Sequence, residues 1–234
     1  MWAKAVIFDF DGTLVDTETP TFEEWSAVYN RFGLELTLSQ WSVLIGSPGA
    51  FDPCSPLASR LGGDRGCLEL KSQVRERVIQ RVGAGAPLSG TRRSIEVLLG
   101  LGLRLAIASS STSEWVERWL RHFELRTSFE HVCTRDHVRH VKPAPDLYEL
   151  AANRLGLETA DCFAIEDSPA GVRAALGAGM PCVAVPNPLT ARLDMGQASL
   201  VLPTLEGDCL DRLLAWLGAV HPSCARRSSA VMRS

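Results

Sequence analysis

Apolar side chains recur along this chain with two different periods. Near the start, Lys4–Phe10 (KAVIFDF) is a short run of branched and aromatic residues, which predicts a strand buried on both faces. From Pro20 to Val82 the spacing lengthens. Phe22, Trp25, Val28, Tyr29 and Phe32 fall at helical intervals before Gly33. Leu68, Leu70, Val74, Val78, Ile79 and Val82 mark the apolar face of a second, charged helix over Cys67–Val82. Between them, Gly46–Pro56 (GSPGAFDPCSP) reads as a Pro/Gly-rich loop. No strand pattern occurs in this stretch.

Beyond Gly83–Gly90 (GAGAPLSG), strands and helices alternate. Leu103–Ser110, His131–Asp136, Asp161–Asp167 and Pro181–Pro186 read as strands or strand ends. Ser113–Phe123, Pro145–Gly156, Pro169–Gly179 and Leu205–Gly218 read as helices, the third with Pro near its start. This order predicts an α/β fold, a Rossmann-like doubly wound parallel sheet between helical layers. Residues 1–16 and 87–220 are expected to form that core, and 17–86 an inserted all-helical domain. The polar, unpatterned 221–234 reads as a disordered tail.

Composition narrows the function classes. The 234 residues suit a large domain carrying a smaller inserted one. A net charge of −3 gives no reason to expect nucleic acid as a partner. No run reaches the ~20 apolar residues of a membrane span, and the acid-bearing start is not a signal peptide. The seven cysteines are odd in number, widely spaced and without a CxxC. They read as thiols in a reducing, cytoplasmic setting rather than as disulfides or a zinc site. The histidines show no HxxxH spacing, so Ser–His and metal–His schemes lack support.

Ligands of doubly wound sheets bind beyond the carboxyl ends of the strands. The first predicted strand ends in Asp9-Phe10-Asp11-Gly12-Thr13 and the second in Ser109-Ser110-Ser111; Lys142 follows the third, and the fourth ends in Glu166-Asp167-Ser168. Taken singly, each has an ordinary explanation. An Asp-x-Asp can be a solvated turn, the serines and Glu166–Ser168 helix caps, and Lys142 an exposed loop lysine. Converging on one crevice, they offer carboxylates, hydroxyls and an ammonium. Magnesium accepts one or two carboxylates, waters and a substrate phosphate. Ser109 and backbone N–H groups opening a helix suit a phosphate. Such a set points to phosphoryl chemistry with a carboxylate nucleophile.

Four motifs stand in order: DFDGTLVDT (Asp9–Thr17), IASSS (Ile107–Ser111), KPAPDLY (Lys142–Tyr148) and IEDSPAGVRAA (Ile165–Ala175). With them, roughly Ala5 to Leu217 resembles the haloacid dehalogenase (HAD) superfamily. The similarity is to the branch with a helical cap after the first strand, which holds beta-phosphoglucomutases and small phosphosugar or nucleotide phosphatases. The resemblance implies Mg²⁺ as cofactor, a small phosphorylated metabolite as substrate, and a monomer or weak dimer. It implies that Asp9 is the nucleophile and Asp11 the general acid, then base. Asp9, the Asp11 carbonyl and Asp167 would hold the metal with help from Glu166. Gly12 and Thr13 would shape the loop, and Ser109, Ser110 and Lys142 would grip phosphoryl oxygens.

Asp16 is expected to stabilise the hinge into the cap, and Asp146 to sit in the first turn of a helix. Trp25, Trp41, Trp115 and Trp119 are expected to pack. Thr17, Gly46, Ser47 and Ser111 are candidates for lining the cap pocket, with Val15–Thr19 and Gly83–Pro87 as hinges. Asp11 argues against dehalogenation and phosphonate cleavage, whose family members lack the second aspartate. The family's mutases carry a histidine where this chain has Thr21, and basic residues in a cap loop that reads Leu44–Gly49 here. Both departures favour water as the final acceptor, hence a phosphatase rather than a phosphomutase. A catalytically silent binding protein is disfavoured because Asp9, Asp11, Lys142 and Asp167 are all present.

Overall fold

A computed structural model describes residues 3–42, 44–45 and 52–220 of the chain. Gly46, Ser47 and the tail 221–234 therefore lie outside the described residues, as does most of the Pro/Gly-rich loop.

Strands β1 (Ala5–Phe8), β2 (Arg104–Ser109), β3 (His131–Thr134), β4 (Cys162–Glu166), β5 (Cys182–Ala184) and β6 (Leu200–Val201) form one sheet. Their order is β3-β2-β1-β4-β5-β6, and every pair is parallel. Alternate strand residues point to opposite faces, and the two faces differ in size. Val6, Phe8, Leu105, Ile107, Phe163 and Ile165 face one core; Ala5, Ala106, Ala108, Cys162 and Ala164 face the other with Ile7. The large face packs under α4 (Thr91–Gly100), α5 (Ser113–His122) and α8 (Asp208–Val220). The small face takes α6 (Asp146–Arg154) and α7 (Pro169–Gly177), whose own contacts include Ala151, Ala152, Ala174 and Ala175. Small residues on both sides let these two helices approach the strand ends closely.

The stretch after β1 is helical, as its spacing predicts. It holds α1 (Glu18–Arg31), α2 (Leu38–Ser42), a 3₁₀ turn over Ser55–Arg60 and α3 (Asp64–Gly83), with no strand among the described residues. α1 and α3 lie against each other. Trp25, Val28 and Tyr29 on one and Leu70, Val74 and Val78 on the other are buried. Each such side chain contributes roughly 1.5–3 kcal/mol by leaving water. Arg81 pairs with Glu23 and, at 3.2 Å, with Glu24, so the exposed edge is ionic.

Three elements lack an expectation from the sequence. α2 is five residues long and β6 two, too short to show a period. α4 buries Ile95, Val97 and Leu98 behind Gly90, whose φ of +81° turns the chain into it. β3 also ends earlier than expected. The Thr134 N–H donates to His137 Nδ1 at 3.1 Å, which turns Arg135–His137 into a 3₁₀ turn. No helix among the described residues is long and apolar enough to cross a membrane.

Candidate active site

From β1 the chain steps outward to β2 and β3, then returns to β4 on the other side of β1. At that reversal the crossovers diverge and leave a crevice beyond the strand ends. Asp9, one residue past β1, sits in it and is only 6% exposed. Its N–H donates to the Ile165 carbonyl at 2.9 Å, which locks it to β4. Lys142 Nζ donates to Asp9 Oδ1 at 2.5 Å and to Glu166 Oε1 at 2.6 Å. Lys142 is 1% exposed, so it is no loop lysine in solvent but the internal cation of the site.

The electrostatics follow from burial. Desolvation is the largest influence on Asp9 and raises its carboxyl to about 7; Lys142 opposes the rise, while Glu166 and Asp11 add to it. Burial pulls Lys142 down, but Asp9 and Glu166 outweigh it and hold the ammonium above its usual value. Asp167 lies well above the ordinary carboxylate range, through burial first and then through Asp9 and Glu166.

Glu166 is fully buried and saturated. Its Oε1 accepts from Lys142 and from the Tyr148 hydroxyl at 2.7 Å; its Oε2 accepts from the Asp167 N–H, the Ser168 N–H and the Ser168 hydroxyl at 3.1–3.3 Å. The carboxylate lies so close to α7 that a Cβ on Gly171 would come within 1.7 Å of Oε1. Glu166 thus anchors Lys142 and the start of α7. Ser168 caps that helix, accepting from the Gly171 N–H at 3.1 Å.

Asp167 Oδ1 accepts from the Thr13 hydroxyl at 3.5 Å and Oδ2 from the Asn187 side-chain amide at 2.7 Å. Asn187 also donates to the Gly12 carbonyl at 3.3 Å. Gly12 has φ +82°, and a Cβ there would come within 2.5 Å of Asp167 and 2.6 Å of Asn187, so only glycine fits. Asn187 is a site residue the sequence reading missed; it follows β5 at the position where a further strand end meets the crevice.

Asp9, Glu166 and Asp167 each bring a carboxylate oxygen within 4.8 Å of the others, all buried. Among the described residues the cation set against these three acids is the Lys142 ammonium, fewer positive charges than the three carboxylates carry when ionised. Asp9 Oδ2 is buried without a hydrogen-bond partner. An orphaned hard oxygen beside a cluster of three buried acids fits a divalent oxygen-seeking cation. Glu166, with both oxygens engaged, contributes charge, while Asp9 keeps the open oxygen.

Asp11 lies on the other side of the crevice and collects four donors. Thr17 Oγ1 at 2.6 Å and Trp115 Nε1 at 2.8 Å reach Oδ1; Ser111 Oγ at 2.6 Å and Ser109 Oγ at 3.2 Å reach Oδ2. The Ser111 N–H donates in turn to Ser109 Oγ at 3.0 Å. Three of the expected residues, Thr17, Ser109 and Ser111, therefore converge on Asp11; Ser110 is buried beside them. Trp25, Trp41 and Trp119 are buried in the core as expected. Trp115 departs from that expectation, since its indole N–H serves Asp11. The Thr112 cap, which accepts from the Trp115 N–H at 3.4 Å, fixes where that ring starts.

Asp16 Oδ1 accepts from the Thr19 N–H at 2.9 Å, at the start of α1. Asp146 opens α6 and accepts from the His140 N–H at 3.3 Å. Thr21 donates to the Thr17 carbonyl at 2.6 Å, within its own helix. A groove of about 450 Å³ runs between α1 and α3 on one side and the β2–α5 turn on the other. Thr21, Ser111 and Trp115 line it, as do Lys71, Arg75 and Arg135.

The sequence profile of the family described as "Haloacid dehalogenase-like hydrolase" matches residues 6–185. The Bacillus subtilis (strain 168) protein named "Putative phosphatase YhcW" is 40% identical over 190 residues, covering 81% of this chain and 86% of that protein. Fructose-1-phosphate phosphatase YqaB of Escherichia coli (strain K12) is 33% identical over 189 residues, covering 77% and 95%. Among solved structures, CbbY from Rhodobacter sphaeroides in complex with phosphate superposes with a TM-score of 0.70 at 27% identity, over 87% of this chain and 95% of that one.

Proposed function

Because this chain belongs to the haloacid dehalogenase-like hydrolases, we propose that it is a Mg²⁺-dependent phosphatase of small phosphate monoesters, phosphosugars foremost. The observation that carries this reading is the pairing of two differently equipped aspartates at one strand end. Asp9 has a buried oxygen with no partner, and Asp11 is fixed by four donors. The first suits a nucleophile and the second a proton carrier.

Asp9 attacks phosphorus, and the bond from phosphorus to the leaving oxygen breaks. Asp11 delivers a proton to that oxygen, so the alcohol leaves neutral and an aspartyl-phosphate remains on Asp9. Asp11 then takes a proton from water, which attacks the same phosphorus. The acyl-phosphate bond breaks to return Asp9 and inorganic phosphate. Lys142 neutralises Asp9 and the phosphoryl oxygens in turn. Mg²⁺, held by Asp9 and Asp167 with the Asp11 carbonyl, would supply Lewis-acid charge against the phosphate dianion.

In this reading residues 17–86 form a cap over the core, hinged near Val15–Thr19 and Gly83–Pro87. Its closure excludes bulk water and presents Thr17 and the groove to the leaving group. The buried free thiols, Cys133 and Cys182 among them, fit a reducing, cytosolic setting.

The test is phosphate release from a panel of sugar phosphates, nucleoside monophosphates and phosphoglycolate, with and without Mg²⁺. Release that requires Mg²⁺ and disappears in Asp9→Asn supports the proposal. Interconversion of glucose 1-phosphate and glucose 6-phosphate with a bisphosphate primer, and no release, would replace it with a mutase. No turnover at all would point to a binding protein.

A further inference from the structure

We infer that Trp115 is a positioning residue for the proton carrier Asp11, and that it ties that carboxylate to whatever occupies the groove between the helical insertion and the core. The inference rests on the phosphatase reading and adds to it a residue outside the four sequence motifs.

Three observations converge on this ring. First, Trp115 Nε1 donates to Asp11 Oδ1 at 2.8 Å, across 104 residues of sequence. A buried-edge indole N–H is a directional donor with no acceptor function and no charge of its own. It fixes where the oxygen lies without competing for the proton. Second, the same ring forms a wall of the groove of about 450 Å³. A leaving group seated there lies against the indole while its scissile oxygen faces Asp11. Third, Arg75 of α3 stands over the ring, its Cζ 5.5 Å from the centroid, and pairs with Glu114 at 3.5 Å. A side chain of the insertion thus holds the residue that holds the acid.

The placement is built rather than incidental. Thr112 caps α5 and accepts from the Trp115 N–H, and Trp119 packs edge-on against Trp115 with ring centroids 5.5 Å apart. Ring and helix therefore move together. Of the four donors on Asp11, Thr17, Ser109 and Ser111 are hydroxyls that can rotate away; the indole N–H points where its ring points.

A misplaced acid matters only when the leaving oxygen needs a proton. Two leaving groups therefore separate positioning from mere packing. An alkyl phosphate, the best substrate of the panel, departs as a strongly basic alkoxide unless Asp11 protonates it. 4-Nitrophenyl phosphate departs as a stable phenolate. The first irreversible step is compared through kcat/KM for wild type and Trp115→Phe, which keeps a ring in the groove and removes the N–H. We expect the alkyl substrate to lose on the order of threefold to tenfold, the factor that follows from one lost hydrogen bond to a neutral carboxylic acid. The nitrophenyl substrate should lose little. Equal losses for both substrates, or none for either, overturn the inference while leaving the phosphatase reading standing. Absence of any turnover by the wild type overturns both. If Trp115→Phe does not fold, the tryptophan isostere with sulfur in place of N–H keeps the shape and carries the same expectation.

Discussion

Replacing Lys142 with Met would remove a cation that two buried acids share, and the cost should depend on pH in a defined way. Glu166 keeps four donors when Lys142 is lost: the Tyr148 hydroxyl, two backbone N–H groups and the Ser168 hydroxyl. Among the described residues Asp9 keeps no side-chain donor, since Lys142 serves Oδ1 and Oδ2 has no partner. In the wild type the Asp9 carboxyl is raised to about 7, chiefly by burial, with Lys142 opposing the rise. A folded value above the unfolded one means that the native state binds an extra proton between about pH 4 and 7, so Asp9's contribution to wild-type stability falls through that window and then levels off. Without Lys142 the Asp9 value moves higher still, and stability keeps falling above pH 7. The loss relative to wild type should thus grow by about 1.4 kcal/mol per pH unit above pH 7. It adds to a nearly constant term of about 3 kcal/mol for a broken buried pair. Urea denaturation of metal-free wild type and Lys142→Met at pH 6, 7, 8 and 9 measures this. A difference that stays flat from pH 6 to pH 9 would refute the assignment of Lys142 as the counter-charge of Asp9.

Three further outcomes are expected. Gly171→Ala puts a Cβ within 1.7 Å of the Glu166 carboxylate and should cost about 3 kcal/mol of stability through overpacking of a buried charge; a thermal midpoint equal to wild type would contradict that packing. Asn187→Ala removes the 2.7 Å donor that orients Asp167 and should weaken Mg²⁺ binding about 10–100-fold by calorimetry; unchanged affinity would show that Asp167 needs no such support. Glu18, half-buried, is raised to about 8 by burial first and then by Asp11, Asp9 and Asp16. Its folded value exceeds the unfolded one, so its ionisation costs stability as pH rises from about 5 to 8. Glu18→Gln should gain about 1 kcal/mol on the metal-free wild type across that window, reduced from the full shift by solvent contact; a gain that is the same at pH 5 and pH 9 would refute the titration.

The chain's period changes, with their Gly and Pro punctuation, were enough to place most of the strands and the longer helices. The central strands β1, β2 and β4 are built on apolar runs buried on both faces, and helices such as α5 and α7 announce themselves by caps at Thr112 and Ser168. Chemistry at the strand ends was equally legible, because a doubly wound sheet delivers those ends to one crevice whatever the intervening sequence. Asp9, Asp11, Lys142 and Asp167 could be named for that reason. Other assignments needed three-dimensional distances. Ser109, Ser111 and Thr17 read as phosphate or pocket residues, and the fold adds that they donate to Asp11. Glu166 read as help for a metal, and the fold adds that its oxygens accept from Lys142, Tyr148 and the start of α7. Trp115 read as packing, and Asn187 gave no signal, because each acts on a residue 104 and 20 positions away in sequence. Local sequence dictates periodicity, caps and the chemical type of each strand end. Which hydroxyl, amide or indole meets which carboxylate depends on how separate crossovers pack against one another, and that is set by the long-range contacts of the two cores rather than by any short stretch of chain.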